Sequence, residues 1–371
     1  VNTIFLKDGL PERVEQEGDA SPADVLMTVD IGNLVDLVDR GLTQPVESEV
    51  LAAAIPENLR DKDGNWFALS QRARVLYADK DLDLASFTYE DLAKPEWKGK
   101  VCIRSGQHPY NVALTASYIV HHGEEAAKAW LEGVKANLAR TAGGGDRDVA
   151  RDIMGGICEI GIANSYYVGL MRSGAGGPEQ EEWVKAIKVI LPTFEGGGTQ
   201  VNVSGAAVAK HAPNRDQAVQ LLEYLVSDEA QRIYAEANFE YPVKPGVAVS
   251  PVIEDMAGLQ VDGTDLTEIA RQRKAASELA EAVGFGCLRF DYRGMGDASG
   301  STRSFEEVGD DIRAAVDALC VALPQLRTVV LWGLCDGASA AALYAPQDER
   351  VGGLVLANPW VRTATGEART Y

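Results

Sequence analysis

The chain has 371 residues, of which 46% are hydrophobic and 24% are charged. This composition is typical of a globular protein, and a chain of this length is expected to form two or three folding units. The 35 Lys and Arg residues stand against 55 Asp and Glu residues, which gives a formal net charge of −20. So acidic a chain is poorly suited to nucleic acid or an anionic membrane surface. No apolar run approaches the roughly 18 residues that a membrane-spanning helix needs. We therefore expect neither nucleic-acid binding nor membrane insertion.

Up to about residue 284 the chain alternates short apolar runs with amphipathic stretches. This alternation predicts an α/β protein whose sheets are covered by helices. The opening residues read as a strand and lack the charged and apolar regions of a leader peptide. The predicted strands lie at 1–6, 24–29, 158–164 and 199–208, and the predicted helices lie at 123–139, 214–238 and 264–283.

A second pattern begins after about residue 284. Its predicted elements are a strand at 287–291, a turn cluster at 294–301, a helix at 305–323 and a strand at 328–332. The sequence Gly-Leu-Cys-Asp-Gly follows at 333–337. This order is that of a βαβ unit, and no internal repeat relates it to the first part.

Three tyrosines lie in turns that lead into predicted helices. Tyr166 and Tyr167 follow the strand at 158–164, and Tyr110 stands in a turn after an earlier apolar run. Ligands of open α/β sheets bind outside the carboxyl ends of strands, so these phenols can face one crevice. Phenolate is a hard oxygen donor, and three phenolates balance the charge of one ferric ion. From spacing alone, the alternative stays open that the rings pack in a core with their hydroxyls hydrogen-bonded.

Six segments of the first part together resemble the ferric-iron-binding periplasmic protein family. The resemblance runs over residues 1–284 in the family's order, and its segments are 21–26, 66–75, 97–102, 164–167, 203–207 and 240–242. It implies the two-lobed type II periplasmic binding protein fold, in which Fe³⁺ is held between the lobes and passed to an ABC importer. The implied partners are ferric ion and an ABC transporter permease, the implied location is the periplasm, and the implied state is a monomer.

The resemblance also assigns the site residues. Tyr166 and Tyr167 match the family's paired tyrosine ligands, and Tyr110 matches the further tyrosine of members that use three or more phenolates. Because none of these residues performs a reaction, the implied protein is a solute-binding protein and not an enzyme.

An anion site is implied beside the metal. Arg72 and Arg74 lie in the segment where family members place an arginine near the metal or a synergistic carbonate, and we favour Arg72. A guanidinium group suits a planar oxyanion because it donates two parallel hydrogen bonds. Asn164 is assigned either to the anion or to orienting Tyr166, with capping of the strand end as the alternative. Asp146 is expected to cap the helix that follows it, with a place in an anion-binding turn as the alternative.

The family fold implies two lobes that close about a hinge. The predicted boundaries are 1–70 and 199–247 for lobe 1, and 71–198 and 248–284 for lobe 2, with 285–371 as a separate segment. The hinge is expected in the strands near 69–75 and 199–208. Family members also carry a first strand and further ligands ahead of the part that matches residue 1. The fold is therefore expected to be N-terminally truncated, with lobe 1 incomplete.

Five cysteines lie at positions 102, 158, 287, 320 and 335, and none forms a CxxC pair. This spacing excludes a zinc ribbon or a thioredoxin-like motif. Within the implied fold, Cys102 and Cys158 fall on neighbouring elements of one lobe, each ahead of a proposed tyrosine ligand. In an oxidising periplasm they are expected to form a disulfide, and two buried thiols are the alternative.

Residues 288–296 and 333–337 resemble the α/β-hydrolase fold, in particular hydrolases associated with exosortase systems. The second motif is the nucleophile elbow with Cys335 in place of serine, which makes this residue a weak catalytic candidate. In this fold the histidine follows the nucleophile, whereas all four histidines of the chain precede residue 285. We therefore expect a partial α/β-hydrolase unit over 285–371 without a complete triad.

Three interpretations remain for the whole chain. The first is a periplasmic Fe³⁺-binding protein with an inert appendage. The second is a cysteine-nucleophile hydrolase fragment, and the third is a non-functional chimera of two unrelated proteins. Within binding proteins of this fold, sulfate, polyamine and sugar are the rival ligands, and the three tyrosines favour iron over them.

Overall fold

The computed structural model describes residues 2–6, 9–283, 290, 292–293, 301, 304–322, 326 and 328–357. The chain divides into two compact units, residues 1–284 and 285–371. The strands of the described residues are β1 Val25–Thr28, β2 Thr43–Gln44, β3 Phe67–Asp79, β4 Val101–Cys102, β5 Ile160–Asn164, β6 Ile187–Ile190, β7 Val201–Ala209, β8 Tyr241–Pro242, β9 Val329–Leu334 and β10 Val351–Ala357.

The described helices account for most of the remaining chain. They are α1 Leu10–Glu17, α2 Ile31–Asp39, α3 Glu49–Ala54, α4 Pro109–His122, α5 Glu124–Ala136, α6 Asp146–Met154, α7 Tyr166–Arg172, α8 Pro178–Lys185, α9 Arg215–Leu225, α10 Asp228–Asn238, α11 Leu266–Arg271, α12 Arg273–Val283, α13 Gly309–Ala322 and α14 Asp336–Tyr344. Short 3-10 helices lie at Gly18–Ala20, Glu57–Leu59, Glu90–Ala93, Pro95–Trp97, Pro251–Met256 and Ala345–Gln347. Of the helices described, none is both long enough and apolar enough to cross a membrane.

The long strand β3 belongs to two sheets. Its first half pairs with β7, and at its second half Arg74 pairs with Asn164 of β5. β1 and β2 extend the first sheet along β7, while β4 lies parallel to β5 and β6 pairs with the end of β3. Parallel and antiparallel pairs are therefore mixed, and the predicted α/β class is confirmed.

Two apolar clusters cover opposite faces of the second half of β3. Leu76 and Ala78 contribute to one cluster, together with Trp130 of α5. Val75 and Tyr77 contribute to the other. Successive side chains of a strand point to opposite faces, so one strand supplies both cores. β3 is consequently buried along nearly its whole length, as a strand covered on both faces should be.

The second unit contains a parallel pair of strands and two helices. β9 and β10 are parallel, with a register shift between Val351 and Gly353 and with Leu331 opposite Leu354. Ile312 and Val316 of α13 and Ala340 of α14 pack with Val329 in one small core. The predicted helix at 305–323 begins at Gly309, and the predicted strand at 328–332 is β9. The predicted strand at 287–291 and the turn cluster at 294–301 lie outside the described residues, apart from residues 290 and 301.

Three predicted elements of the first unit differ from the structure. The strand at 1–6 is wrong, because residues 2–6 form no strand or helix and pair with none of the described strands. The helix at 214–238 is two helices, since the Ser227 hydroxyl accepts a hydrogen bond from the Ala230 N–H and caps α10. The helix at 264–283 is also two helices, α11 and α12, which meet at Gln272. The predicted lobe boundaries remain a prediction.

Candidate functional site

The three predicted phenols come together in the first unit. Tyr166 and Tyr167 open α7, which a single residue separates from the end of β5, and Tyr110 is the second residue of α4. The hydroxyl oxygens of Tyr110 and Tyr166 lie 3.2 Å apart. The rings of Tyr166 and Tyr167 have centroids 4.2 Å apart. The fold therefore gathers these side chains into one tyrosine cluster, although 56 residues separate the two partners of the hydrogen bond.

Local capping sets the positions of these tyrosines. Ser165 stands between β5 and α7, where its hydroxyl accepts a hydrogen bond from the Ala73 N–H at 3.1 Å and its own N–H donates to the Ala73 carbonyl at 2.9 Å. The start of α7 is thereby attached to β3. At α4, Pro109 occupies the first turn and His108 Nδ1 accepts from the Tyr110 N–H at 3.3 Å. Burial lowers the pKa of His108 to about 4, so the ring is neutral and able to accept.

Guanidinium groups surround the tyrosine cluster. The guanidinium carbons of Arg104 and Arg74 lie 5.1 Å and 5.8 Å from the ring centroid of Tyr110, and that of Arg147 lies 5.6 Å from that of Tyr167. Cations at this distance from an aromatic face are attracted by its quadrupole. Burial nevertheless raises the pKa of Tyr166 and of Tyr167 above the ordinary value. Both phenols are therefore protonated beside these arginines. Loss of the protons requires a metal ion that coordinates the phenol oxygens.

Arg74 belongs to a buried network behind the cluster. Its guanidinium donates to Asp146 at 2.6 Å, to Asn164 Oδ1 at 3.0 Å and to Asn111 Oδ1 at 2.6 Å. Arg104 reaches the same Asp146 carboxylate at 3.2 Å. The Arg74 side chain is 1% exposed. Its Nη1 and Nη2 are therefore engaged with protein groups, whereas its buried Nε has no partner among the described residues. The network supports the strand end that carries the tyrosines.

Asp146 does not have its predicted capping role. Gly145 occupies the N-cap position of α6, and Asp148 accepts from the Gly145 N–H at 2.7 Å. Asp146 is the first helical residue, and its carboxylate accepts from the Asn164 N–H at 2.8 Å. Asn164, predicted to hold an anion or orient Tyr166, is 3% exposed, and its Nδ2 has no partner among the described residues.

Arg72 lines a cleft of about 330 Å³ together with Tyr110, Tyr166 and Glu240. Its Nη1 donates to the Ser204 hydroxyl at 2.9 Å and lies 3.7 Å from a Glu240 carboxylate oxygen. Its Nε is buried and has no partner within the described part of the chain. Of the two predicted arginines, Arg72 lines this cleft, whereas Arg74 lies in the buried network behind the cluster. Ser204 and Glu240 lie in segments that carry the family resemblance, at 203–207 and 240–242, but their types and spacing gave no signal of a role in the site.

Cys102 and Cys158 form a disulfide with their Cα atoms 5.9 Å apart. Cys102 ends β4, and Cys158 precedes β5, the neighbouring parallel strand. The chain continues from Cys102 to Tyr110 and from Cys158 to Tyr166. The disulfide therefore links the segment that leads to Tyr110 with the segment that leads to Tyr166.

Cys335 lies at a sharp strand-to-helix turn in the second unit. It follows β9, stands at the N-cap of α14, and has φ +52°, a left-handed conformation that is rare for residues other than glycine. This is the backbone geometry of a nucleophile elbow. The second unit contains no histidine, because all four lie before residue 285.

The described residues contain no group of three His, Cys, Asp or Glu side chains arranged to hold a metal ion. The candidate metal centre is the tyrosine cluster, in which two hydroxyl oxygens lie 3.2 Å apart.

Two sequence families match the chain. Residues 20–261 match the family described as bacterial extracellular solute-binding protein. Residues 267–370 match the family described as serine aminopeptidase, S33. The second match begins within α11, although α11 and α12 pack on α2, α4 and α5 of the first unit.

Known relatives and solved structures resemble the first unit. Iron uptake protein A2 of Synechocystis sp. is 45% identical over 282 residues, which cover 74% of this chain and 81% of that protein. The Fe(3+)-binding periplasmic protein of Serratia marcescens is 28% identical over 287 residues, which cover 75% of this chain and 82% of that protein.

Among solved structures, the Bordetella ferric binding protein has 63% identity and a TM-score of 0.74, with 76% of this chain and 90% of that chain aligned. Apo FutA2 from Synechocystis PCC6803 has 44% identity and a TM-score of 0.71, with 74% of this chain and 89% of that chain aligned. The predicted type II binding-protein fold is confirmed by these likenesses, and the C-terminal α/β unit is supported by the hydrolase match. Through residues 20–261, the chain belongs to the bacterial extracellular solute-binding protein family, alongside the ferric-iron-binding periplasmic proteins.

Proposed function

We propose that the first unit binds one Fe³⁺ through the phenolates of Tyr110, Tyr166 and Tyr167. The observation that carries this proposal is the tyrosine cluster itself, in which the Tyr110 and Tyr166 hydroxyl oxygens approach to 3.2 Å. Deprotonated phenols this close repel one another unless a cation lies between them. Three phenolates carry the charge that neutralises one ferric ion, and oxygen donors suit this hard metal. The names of the related proteins support the same cargo.

We further propose that a small oxyanion such as carbonate binds beside the iron at Arg72. Arg72 supports this assignment because it lines the cleft and keeps a buried Nε–H without a partner among the described residues. A planar oxyanion can accept two parallel hydrogen bonds from a guanidinium group. A related structure, described as Trichodesmium (IdiA) (FutA) in complex with iron and citrate ligands, is 40% identical with a TM-score of 0.71 and supports a carboxylate-type anion.

The proposed role is delivery of iron in the periplasm to the permease of an ABC importer by a monomeric, non-catalytic protein. Lobe 1 would comprise 1–70 and 199–247, and lobe 2 would comprise 71–198 and 248–284. β3 supports a hinge at 69–75, because the strand passes there from the sheet of β7 to the sheet of β5. Closure of the lobes about this hinge would enclose the ion.

The test is a titration of the metal-free chain with ferric citrate. Phenolate ligation of iron(III) produces a broad visible charge-transfer band, which we expect to saturate at about one iron per chain. The double variant Tyr166→Phe/Tyr167→Phe is expected to lose the band. Tyr224→Phe is the matched control, because Tyr224 is half exposed on α9 and lies outside the cluster. A folded wild-type chain without the band, or a double variant that keeps it, would contradict the proposal.

The elbow of Cys335 has the backbone geometry that thiol-dependent acyl transfer requires, but geometry alone does not activate a thiol. The second unit supplies no histidine to activate the thiol. We therefore propose that the unit has no hydrolase activity. Hydrolysis of an activated ester that is lost in Cys335→Ala would overturn this view.

A further inference from the structure

Glu240 places a carboxylate in the cleft that holds the tyrosines. Its side chain is 13% exposed, and one oxygen lies 3.7 Å from Arg72 Nη1. The other oxygen accepts a hydrogen bond from the Ser70 hydroxyl. Both Ser70 and Arg72 are residues of β3, so the carboxylate is held against the strand of the proposed hinge.

The guanidinium group of Arg72 is incompletely paired. Nη1 donates to the Ser204 hydroxyl at 2.9 Å, Nη2 lies 3.5 Å from the Val203 carbonyl, and Nε has no partner among the described residues. The side chain is 3% exposed. A cation this deeply buried needs a nearby anion, and the described structure supplies Glu240. The 3.7 Å separation exceeds the 2.7–2.9 Å that is typical of a charge-assisted hydrogen bond. The Glu240 carboxylate therefore neutralises the charge of Arg72 without forming a close hydrogen bond to its N–H groups.

The backbone holds Glu240 from both sides. Tyr241 and Pro242 after it form β8, which pairs with β3. Phe239 before it has φ +56°, a strained conformation for a phenylalanine. The Phe239 side chain packs on Gly169 of α7, where an added Cβ would lie 2.3 Å from the ring. The helix that presents the paired tyrosines is thus in contact with the residue next to Glu240.

We propose that Glu240 is the internal counter-anion of Arg72 and determines which anions enter the iron site. This inference rests on the proposed iron-binding function. While the anion position is empty, the Glu240 carboxylate neutralises Arg72. An incoming oxyanion must bind Arg72 against the repulsion of this carboxylate. A small planar anion such as carbonate can use the unfilled Nε edge and tolerate Glu240, whereas an anion of higher charge meets a stronger repulsion from this carboxylate.

The test measures bicarbonate binding to the iron-free chain by isothermal titration calorimetry. Glu240→Gln removes the competing charge and retains the shape, so we expect the bicarbonate affinity to rise at least about tenfold. Arg72→Gln is expected to abolish binding with either residue at position 240. Glu236→Gln is the matched control, because it makes the same charge change on the exposed part of α10 and should leave the affinity unchanged.

Ser70→Ala provides a second variant in case Glu240→Gln disturbs the fold, which circular dichroism would report. Without the Ser70 hydroxyl the carboxylate is free to turn away, so the bicarbonate affinity is expected to rise by a smaller factor. Equal affinity of wild type and Glu240→Gln, weaker binding by the variant, or no binding by either would each overturn the inference. The ferric titration is read separately, so an intact charge-transfer band with any of these results leaves the iron-binding proposal standing.

Discussion

Replacement of Asp146 by asparagine tests whether the buried network behind the tyrosines stabilises the first unit. The side chain of this residue is fully buried, and it accepts hydrogen bonds from Arg74 at 2.6 Å, from Arg104 at 3.2 Å and from the Asn164 N–H at 2.8 Å. Asparagine keeps the shape but removes the charge, and its amide must turn N–H groups towards at least one of these donors. Arg74 then stays buried without its counter-ion. Removal of one partner of a buried ion pair costs about 3–5 kcal/mol, and we expect a loss of this size.

Urea unfolding followed by far-ultraviolet circular dichroism gives the free energy of unfolding of wild type and variant. The control is Asp81→Asn, because Asp81 is 81% exposed and pairs with an exposed lysine. Such a surface pair contributes at most about 1 kcal/mol. If Asp146→Asn loses no more stability than Asp81→Asn, the Arg74 guanidinium does not depend on this carboxylate, and the reasoning is refuted.

Two further changes test the surroundings of the site. Replacement of Cys102 and Cys158 by serine opens a loop closed across 56 residues, and chain entropy predicts a loss of about 4 kcal/mol, measured by urea unfolding with and without reductant. A wild type whose stability is insensitive to reductant would contradict this. Gly169→Ala forces a methyl group into Phe239 and should cost about 1–3 kcal/mol in thermal or urea unfolding, whereas Gly258→Ala, which meets open space, should be near neutral. Equal effects of the two alanines would argue against the close packing of α7.

Local patterns predicted several elements of the first unit, among them β1, β5, β7 and α5, because hydrophobic period and turn residues act within a few positions along the chain. The strand before Tyr166 and the helix after it follow from such a pattern. The break between α9 and α10 was also signalled locally, by Ser227 followed by two acidic residues, but the apolar spacing on both sides hid it. The strand at 1–6 failed for a different reason, since a strand requires a hydrogen-bonded neighbour that composition cannot supply.

The sequence by itself determined the fold class, the family and the adjacency of Tyr166 and Tyr167, because neighbouring residues and ordered motifs need no tertiary information. Only the tertiary structure brought Tyr110 within 3.2 Å of Tyr166, since the contact spans 56 residues. The tertiary structure also places Arg72 and Arg74 in different surroundings. Two residues apart on a strand, they share one face, and spacing cannot tell them apart. The difference arises from their neighbours in the sheets: Arg72 pairs with β7 beside the cleft, whereas Arg74 pairs with β5 and enters the buried network.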